Sequence, residues 1–378
     1  MTVDAYLDNS ATTPPCKEAI EAMQEELSRF WGNPSSLHGV GLEAEHLLAR
    51  SRAALANRLG CEPNEVLFTS GGTESNNLAL FGAANALRRR GRRIVTSAVE
   101  HSSVAESAKE LAARGFEVIY LGVDRAGRIA ERELLQAVNR ETILVSLMAV
   151  NNEVGTIQPV EAMRQAVQAK GAPALVHVDA VQAFGKLPVQ PTRIGADLLT
   201  VSSHKIHGPK GVGALYIRKG VRLAPLFYGG TQEGKLRPGT EAMPAIAGFA
   251  AAAHALPNPA QSIEYVGTLR DRLVQGLQSM EGVRINSPAD ALPYVTNLSL
   301  PGLQSETMLN FLSERGVYVS SGSACAKGKK SRVLRAMGLN DAEIAGALRV
   351  SLSRYTTWEE IDAFLYALNE AQATLARK

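Results

Sequence analysis

The chain has 378 residues, 45% of them hydrophobic and 20% charged, so it can fill a sizeable core, and its length suggests two domains. Its net charge of +3, with acids and bases well mixed, gives no footprint for nucleic acid, and no apolar run is long enough to span a bilayer. The three cysteines, Cys16, Cys61 and Cys325, form no close pair, which argues against a disulfide framework or a zinc site and for a reducing, cytoplasmic setting.

The N-terminus carries no basic and apolar leader pattern. Tyr6 to Pro15 is polar and Pro-terminated, which reads as a loop, and a helix is predicted over Lys17 to Arg29. Gly32-Asn33-Pro34-Ser35-Ser36 is a turn, and Leu42 to Leu59 has helical periodicity that stops at Gly60, a residue suited to a helix C-terminus. An alternation follows. Strands are predicted at Val66 to Thr69, Arg93 to Ser97, Phe116 to Tyr120, Ile143 to Met148 and Leu175 to Asp179. Helices fall between them at Glu74 to Arg90, Ser103 to Arg114, Glu131 to Val138 and Val160 to Lys170. Two further apolar strands, Ala196 to Val201 and Gly213 to Ile217, bring the count to seven. Strands rich in Val, Ile and Leu with helices between them imply an α/β fold: a mostly parallel sheet, covered on both faces, with its strand C-termini on one edge.

Phe227 to Pro244 is a long Gly-rich loop. A helix over Met243 to Leu256 breaks at Pro257-Asn258-Pro259, and Ser262 to Met280 reads as a long amphipathic helix that bridges to a second unit. That smaller α+β region has strands near Val283 to Ile285, Thr296 to Leu300, Tyr318 to Ser320 and Leu348 to Leu352. Its helices fall at Ser305 to Arg315 and Trp358 to Leu375, the last opened by a capping box at Thr357 and Glu360.

Ligands of such sheets bind beyond the strand C-termini, and polar residues follow one strand after another there. Lys205, in Ser202-Ser203-His204-Lys205-Ile206-His207-Gly208-Pro209-Lys210-Gly211, sits at a kink between two core strands. A Lys buried there becomes a neutral nucleophile able to form a Schiff base; the alternative is a strand-end ammonium that snorkels to water. Ser70-Gly71-Gly72-Thr73 leads straight into a helix, which suits a phosphate or is an ordinary turn with Thr73 as cap. His101 either stacks and moves protons or is a passive hydrogen-bonded residue. Asn151-Asn152-Glu153-Val154-Gly155 is a polar site or a loop turn. Asp179 ends an apolar strand and wants a cation, such as a protonated pyridine nitrogen; a buried salt bridge or a helix cap would also serve. Cys325 lies in a Ser/Gly/Lys-rich loop, where ammonium groups favour the reactive thiolate, whereas Cys16 and Cys61 fit inert burial.

Together, in this order and over nearly the whole chain, these motifs resemble the pyridoxal-phosphate-dependent cysteine desulfurases of the class V aminotransferase branch, enzymes of fold type I. The resemblance rests on Tyr6 to Thr13, the Thr-Ser-Gly-Gly-Thr-Glu-Ser turn, Glu100-His101, Asn151 to Gly155, His177 to Gln182, Ser202 to Gly211, Arg237 to Thr240 and Ser320 to Cys325. It implies a large cofactor-binding domain over 16–256 and a small α+β domain over 257–378 joined by segment 1–15. It implies that Lys205 carries pyridoxal 5'-phosphate as a Schiff base. Gly72, Thr73, Ser202 and His204 would hold the phosphate, and Thr240 would reach the site of the neighbouring subunit in a homodimer. Asp179 would keep the pyridine nitrogen protonated, Gln182 would bond the ring hydroxyl, and His101 would stack on the ring and exchange protons. Arg349 would fork onto the carboxylate of L-cysteine, with Asn152 near the ring hydroxyl and carboxylate and Asn33 as a further carboxylate ligand.

The implied reaction ends with Cys325 taking the substrate sulfur as a persulfide and releasing alanine, for delivery to a sulfur acceptor or an iron–sulfur scaffold protein. Ser203 and Pro238 stand where relatives more often have Gly and Ser. Competing readings are a selenocysteine lyase or another aminotransferase-like enzyme of this branch, and a non-catalytic sulfur carrier or scaffold. The mobile-thiol context of Cys325 argues against a transaminase, and intact Lys205, Asp179 and His101 argue against a carrier.

Overall fold

A computed structural model describes residues 4–322 and 330–376. In chain order the strands are β1 (Ala5–Tyr6), β2 (Val66–Thr69), β3 (Arg93–Ser97), β4 (Glu117–Leu121), β5 (Thr142–Met148), β6 (Leu175–Asp179), β7 (Leu198–Ser202), β8 (Gly213–Ile217), β9 (Arg284–Ile285), β10 (Val295–Ser299), β11 (Val317–Tyr318) and β12 (Ala347–Ser351). Seven of them form the central sheet, in the order β2-β8-β7-β6-β5-β3-β4. β7, β6, β5, β3 and β4 are parallel neighbours. β5 and β7 are buried along their whole length, because helices cover both faces; their mostly apolar sequences, without an in–out alternation, are the trace of that burial.

One strand departs from the parallel expectation. β8 runs antiparallel to both β2 and β7. Only residues 203–212 separate β7 from β8, and a parallel return needs a crossover of roughly a dozen residues or more. The short connection folds back instead, and it carries Lys205 out at the C-terminal end of β7.

Other boundaries shift for local reasons. The helix after β2 starts at Gly72 rather than Glu74, capped by Gly71 at φ 149°, so Thr73 lies in the first turn and is not the cap. The Tyr6 segment is not wholly loop: β1 pairs in parallel with β11. The long bridging helix starts at Pro259 behind the Asn258 cap, so the Pro-Asn-Pro stretch ends one helix and begins the next. Short helices at Pro191–Ile194, Arg332–Ala336 and Asp341–Ala345 had no sequence signal, since four or five residues cannot show a helical period.

C-terminal to the central sheet, β9, β10 and β12 form an antiparallel sheet with the helices Pro259–Gln278, Ser305–Ser313 and Trp358–Thr374 around it. The capping box predicted at Thr357 and Glu360 is present. The N-terminal segment ties the two regions together. Ser10 N–H donates to Ser351 Oγ at 2.9 Å, and Thr13 Oγ1 donates to the His204 carbonyl at 3.0 Å. Residues 9–13 therefore cross between β12 and the turn that bears Lys205. Among the described residues, no helix is long and apolar enough to cross a membrane, and no group of three or more His, Cys, Asp or Glu is placed to hold a metal ion.

Candidate active site

The site begins where β7 ends. Ser203–Lys205 forms a single tight turn whose Ser203 carbonyl accepts the Ile206 and Gly208 N–H groups at 3.0 and 3.1 Å. Ser203 is fully buried, and its hydroxyl lies 2.1 Å from where a Cβ on residue 208 would stand, so a side chain at Gly208 would force the Ser203 hydroxyl to move. The turn points the Lys205 amine inward. Nζ donates to the Ser10 carbonyl at 2.5 Å and the Ala11 carbonyl at 2.7 Å, so the snorkelling alternative does not occur.

The amine faces a cavity of about 230 Å³. One end is rich in donors: Gly72 and Thr73 at the start of the Gly72–Leu87 helix, with Ser202 and His204 opposite. This end continues into an open lobe lined by Ser70, Gly71 and Lys210. Close packing sets the helix start. A Cβ on Gly72 would lie 2.9 Å from Val181, and one on Gly213 would lie 2.7 Å from the Gly71 backbone. Asp179 also lines the cavity, with Oδ2 accepting Asn76 Nδ2 at 2.7 Å and Oδ1 accepting the Val181 N–H at 3.0 Å. Asp179 thus braces the turn after β6, which is not a helix start.

His101 caps the Ser102–Ala113 helix, and its Nδ1 accepts the Ser103 N–H at 3.2 Å. Burial holds its pKa below the usual value, although Asp179 pulls the other way. Burial likewise pushes His204 down to about 4, helped by the charge of Lys205. Both imidazoles are therefore neutral near neutral pH. Beneath them Glu100 is fully buried and pushed up to about 8, although the Ser97 hydroxyl and the Met148 amide both bond its carboxylate. Arg349 closes the remaining wall. It is almost fully buried; Nη2 meets Asp8 at 2.6 Å and Nη1 donates to the Asn152 carbonyl at 3.0 Å.

Residues 5–364 match the family model for aminotransferase class-V. The chain belongs to the aminotransferase class-V family. It is 42% identical to the cysteine desulfurase IscS of Methanosarcina thermophila over 97% of this chain and 91% of that protein. It is 44% identical to cysteine desulfurase 2 of Trichormus variabilis over 95% and 91%. A solved structure described as a NifS-like protein superposes with a TM-score of 0.93 at 41% identity, covering 99% of this chain and all of that one. Another, SspA in complex with cysteine, superposes at 0.83 with 34% identity over 93% of this chain.

The cofactor of these class V enzymes is pyridoxal phosphate, and the cavity suits it. Four residues that line it each carry a buried polar atom with no hydrogen-bond partner among the described residues: Ser10 Oγ, Asn76 Oδ1, Ser202 Oγ and Arg349 Nε. Orphaned buried polar groups cost stability unless something binds them, and these need donors and acceptors from a polar ligand. A donor-rich end for phosphate, a carboxylate for a ring nitrogen and an amine for an aldehyde complete the match.

Ten of the residues predicted from sequence line this one cavity: Gly72, Thr73, His101, Asn152, Asp179, Gln182, Ser202, His204, Lys205 and Arg349. Gln182 is held on both sides, donating to the Ser10 carbonyl at 3.0 Å and accepting from Lys186 Nζ at 3.1 Å. Asn33 and Thr240 are exposed and do not line it. Cys325 lies outside the described residues. Cys16 and Cys61 are set off from the cavity, and burial pushes the Cys61 thiol up to about 12, which fits the inert reading. The sequence reading missed Asn76, Ser103, Ser10 and Asp8. Asn76 had one signal: it sits three residues beyond Thr73, on the same helix face.

Proposed function

We propose that this chain is a pyridoxal-phosphate-dependent cysteine desulfurase, which converts L-cysteine to L-alanine and passes the sulfur to Cys325. The observation that carries it is the Lys205 amine, turned into one cavity with Asp179, His101, a phosphate-type donor cluster and Arg349, in a chain with relatives named cysteine desulfurases at 42–44% identity. When bound, pyridoxal phosphate supplies an aldehyde for the amine of Lys205 and an electron-withdrawing ring that weakens the bonds at the substrate Cα.

The protein's own groups do the rest. Lys205, held by the Ser10 and Ala11 carbonyls, stands ready to take a proton from the substrate and return it. Asp179 offers its carboxylate to the ring nitrogen. Gly72, Thr73, Ser202 and His204 bind the phosphate through their donors, and Gln182 and Asn152 meet the ring hydroxyl. Arg349, fixed by Asp8, fork-binds the substrate carboxylate. The Cys325 thiolate attacks the substrate sulfur: one S–S bond forms, the C–S bond breaks, and the electron pair left on carbon takes a proton to become alanine. The sulfur then leaves for an acceptor or iron–sulfur scaffold protein, in the reducing, cytoplasmic setting that keeps Cys325 a thiol between turnovers.

Thr240 and Asn33 fit a homodimer with shared sites. The loop that bears Thr240 is tied down by Arg237 to Glu74 at 3.0 Å and by Glu233 to Arg52 at 2.6 Å. Exposed Trp31 and Leu37 flank Asn33, and exposed Phe227 and Tyr228 begin the loop of Thr240. Both segments thus offer apolar surface for a second copy. The two-part division, 16–256 against 257–378 with 1–15, belongs to the same proposal. The test is brief exposure of the holoenzyme to L-cysteine, followed by alanine assay and peptide mass spectrometry. One added sulfur on the Cys325 peptide is expected. A Cys325→Ala variant should keep the cofactor and lose desulfuration; parental sulfide production from that variant would falsify the nucleophile assignment.

A further inference from the structure

One buried chain of hydrogen bonds joins Asp179 to His101. Asp179 Oδ2 accepts Asn76 Nδ2 at 2.7 Å, the same Nδ2 donates to Ser103 Oγ at 2.8 Å, and Ser103 Oγ lies 2.8 Å from His101 Nδ1. Asn76, Ser103 and Asp179 are all buried. The direction of every bond is forced. A carboxylate only accepts, so Asn76 must turn its amide nitrogen, and not its oxygen, toward Asp179. The second hydrogen of that nitrogen goes to the Ser103 oxygen. Ser103 then has its hydroxyl hydrogen left, and the acceptor within reach is His101 Nδ1. The Ser103 backbone N–H points at the same nitrogen, at 3.2 Å.

We propose that Asn76 and Ser103 are positioning residues that transmit the donor demand of Asp179 to His101 and fix its imidazole as the Nε2–H tautomer. Two donors converge on Nδ1, so the ring proton sits on Nε2. A second proton can enter only at Nδ1, where it would face the Ser103 N–H and displace the Ser103 hydroxyl. The resting ring is therefore neutral and offers the cavity a hydrogen-bond donor. It is not a base until the relay breaks. Other charges act on this ring too. Lys205, after β7, and Arg332, on the Arg332–Ala336 helix, disfavour its protonation; Asp179, on β6, favours it. His204, itself neutral, faces it from the Lys205 turn. Burial acts in the same direction as the relay. Under the desulfurase reading, on which this consequence rests, His101 donates Nε2–H to an anionic sulfur or oxygen of the bound ligand and does not abstract the substrate proton.

The test uses cofactor-free protein labelled with ¹⁵N-histidine. Long-range ¹H–¹⁵N spectra should show His101 with Nδ1 bare and Nε2 protonated at neutral pH. The Nδ1–H tautomer or an imidazolium there would overturn the proposal. A Ser103→Ala variant loses one donor to Nδ1 and keeps the backbone N–H. Its His101 should bind a proton about fivefold to tenfold more tightly, the worth of one ordinary hydrogen bond, and Ser103→Thr should restore the parental titration. An unchanged titration in Ser103→Ala would remove Ser103 from the relay. In the holoenzyme, the acid limb of the kcat/KM profile of Ser103→Ala should move up by the same factor. If the protein shows the Nε2–H signature but makes no alanine from cysteine, the desulfurase reading fails and the relay stands; active enzyme without the signature fails the relay alone.

Discussion

Lys186 is the sharpest place to perturb the structure beside the site. It is buried, donates to Gln182 Oε1 at 3.1 Å and lies 5.4 Å over the Tyr294 ring. A cavity of about 20 Å³, room for about one water, touches it and Lys205. Burial pushes its pKa down to about 7, and the charges of Lys205 and Arg349 push the same way. The folded value lies below the unfolded value of 10.5, so the unfolded chain binds the extra proton between these limits. Stability from this group must then rise with pH across that window, at up to about 1.4 kcal/mol per pH unit. Between pH 7 and pH 9 the integrated gain is about 2 kcal/mol.

The perturbation is Lys186→Met, which keeps the stem and removes the titration. Urea unfolding of cofactor-free parent and variant at pH 7, 8 and 9 gives the difference in stability, in which other titrating groups cancel. The parent should gain about 2 kcal/mol on the variant over that range. A difference that stays flat with pH would mean that Lys186 keeps its proton in the folded state, and the burial argument would fail.

Three further substitutions probe the walls of the cavity and the frame beneath it. Arg349→Lys loses the planar fork that spans Asp8 and the Asn152 carbonyl, so KM for L-cysteine should rise about tenfold to hundredfold with a smaller change in kcat; an unchanged KM would put the substrate carboxylate elsewhere. Gly213→Ala places a methyl 2.7 Å from the Gly71 Cα and carbonyl carbon, neither of which can yield, so melting should report a loss of about 1–3 kcal/mol and the cofactor should dialyse away faster. Asp197→Ala removes a buried carboxylate that accepts from Arg218 at 2.7 Å, Arg164 at 2.5 Å and the Val176 N–H at 2.8 Å. It should cost about 3 kcal/mol in urea unfolding yet leave cysteine binding intact, because Asp197 lies at the strand ends remote from the cavity.

Where one residue type and its local context imply one role, the chain could be read directly. The seven strands are rich in Val, Ile and Leu, and Lys205, Asp179 and the Gly71–Gly72 turn follow three of them at the edge where ligands bind. The direction of β8 was not legible as apolar pattern, since a buried strand looks the same in both senses; the short 203–212 connection held that information. Asn76 and Ser103 were missed because their roles depend on each other. A polar residue on a helix reads as solvated until the neighbouring helix start brings a hydroxyl to 2.8 Å. Lys186 was missed for a related reason: nothing in its local sequence says that Tyr294, more than a hundred positions on, will cover it.

Arg349 shows what this means for substrate recognition. A guanidinium has five donors, and two of its nitrogens are engaged before any ligand arrives, one by the Asp8 carboxylate and one by the Asn152 carbonyl. The Nε–H, buried and without a partner among the described residues, remains on the third edge. If Arg349 takes the substrate carboxylate, as proposed, Nε–H and the second hydrogen of Nη2 would make a fork of their own. Asp8 meets Arg349 at Nη2 and offsets the charge of that buried guanidinium. Asp8 precedes the helices and strands of the large sheet, and Arg349 follows nearly all of the chain. The Asp8–Arg349 pair forms only after β1 has paired with β11 and β10 with β12, so on the proposed reading cysteine binding requires the last part of the chain to be in place.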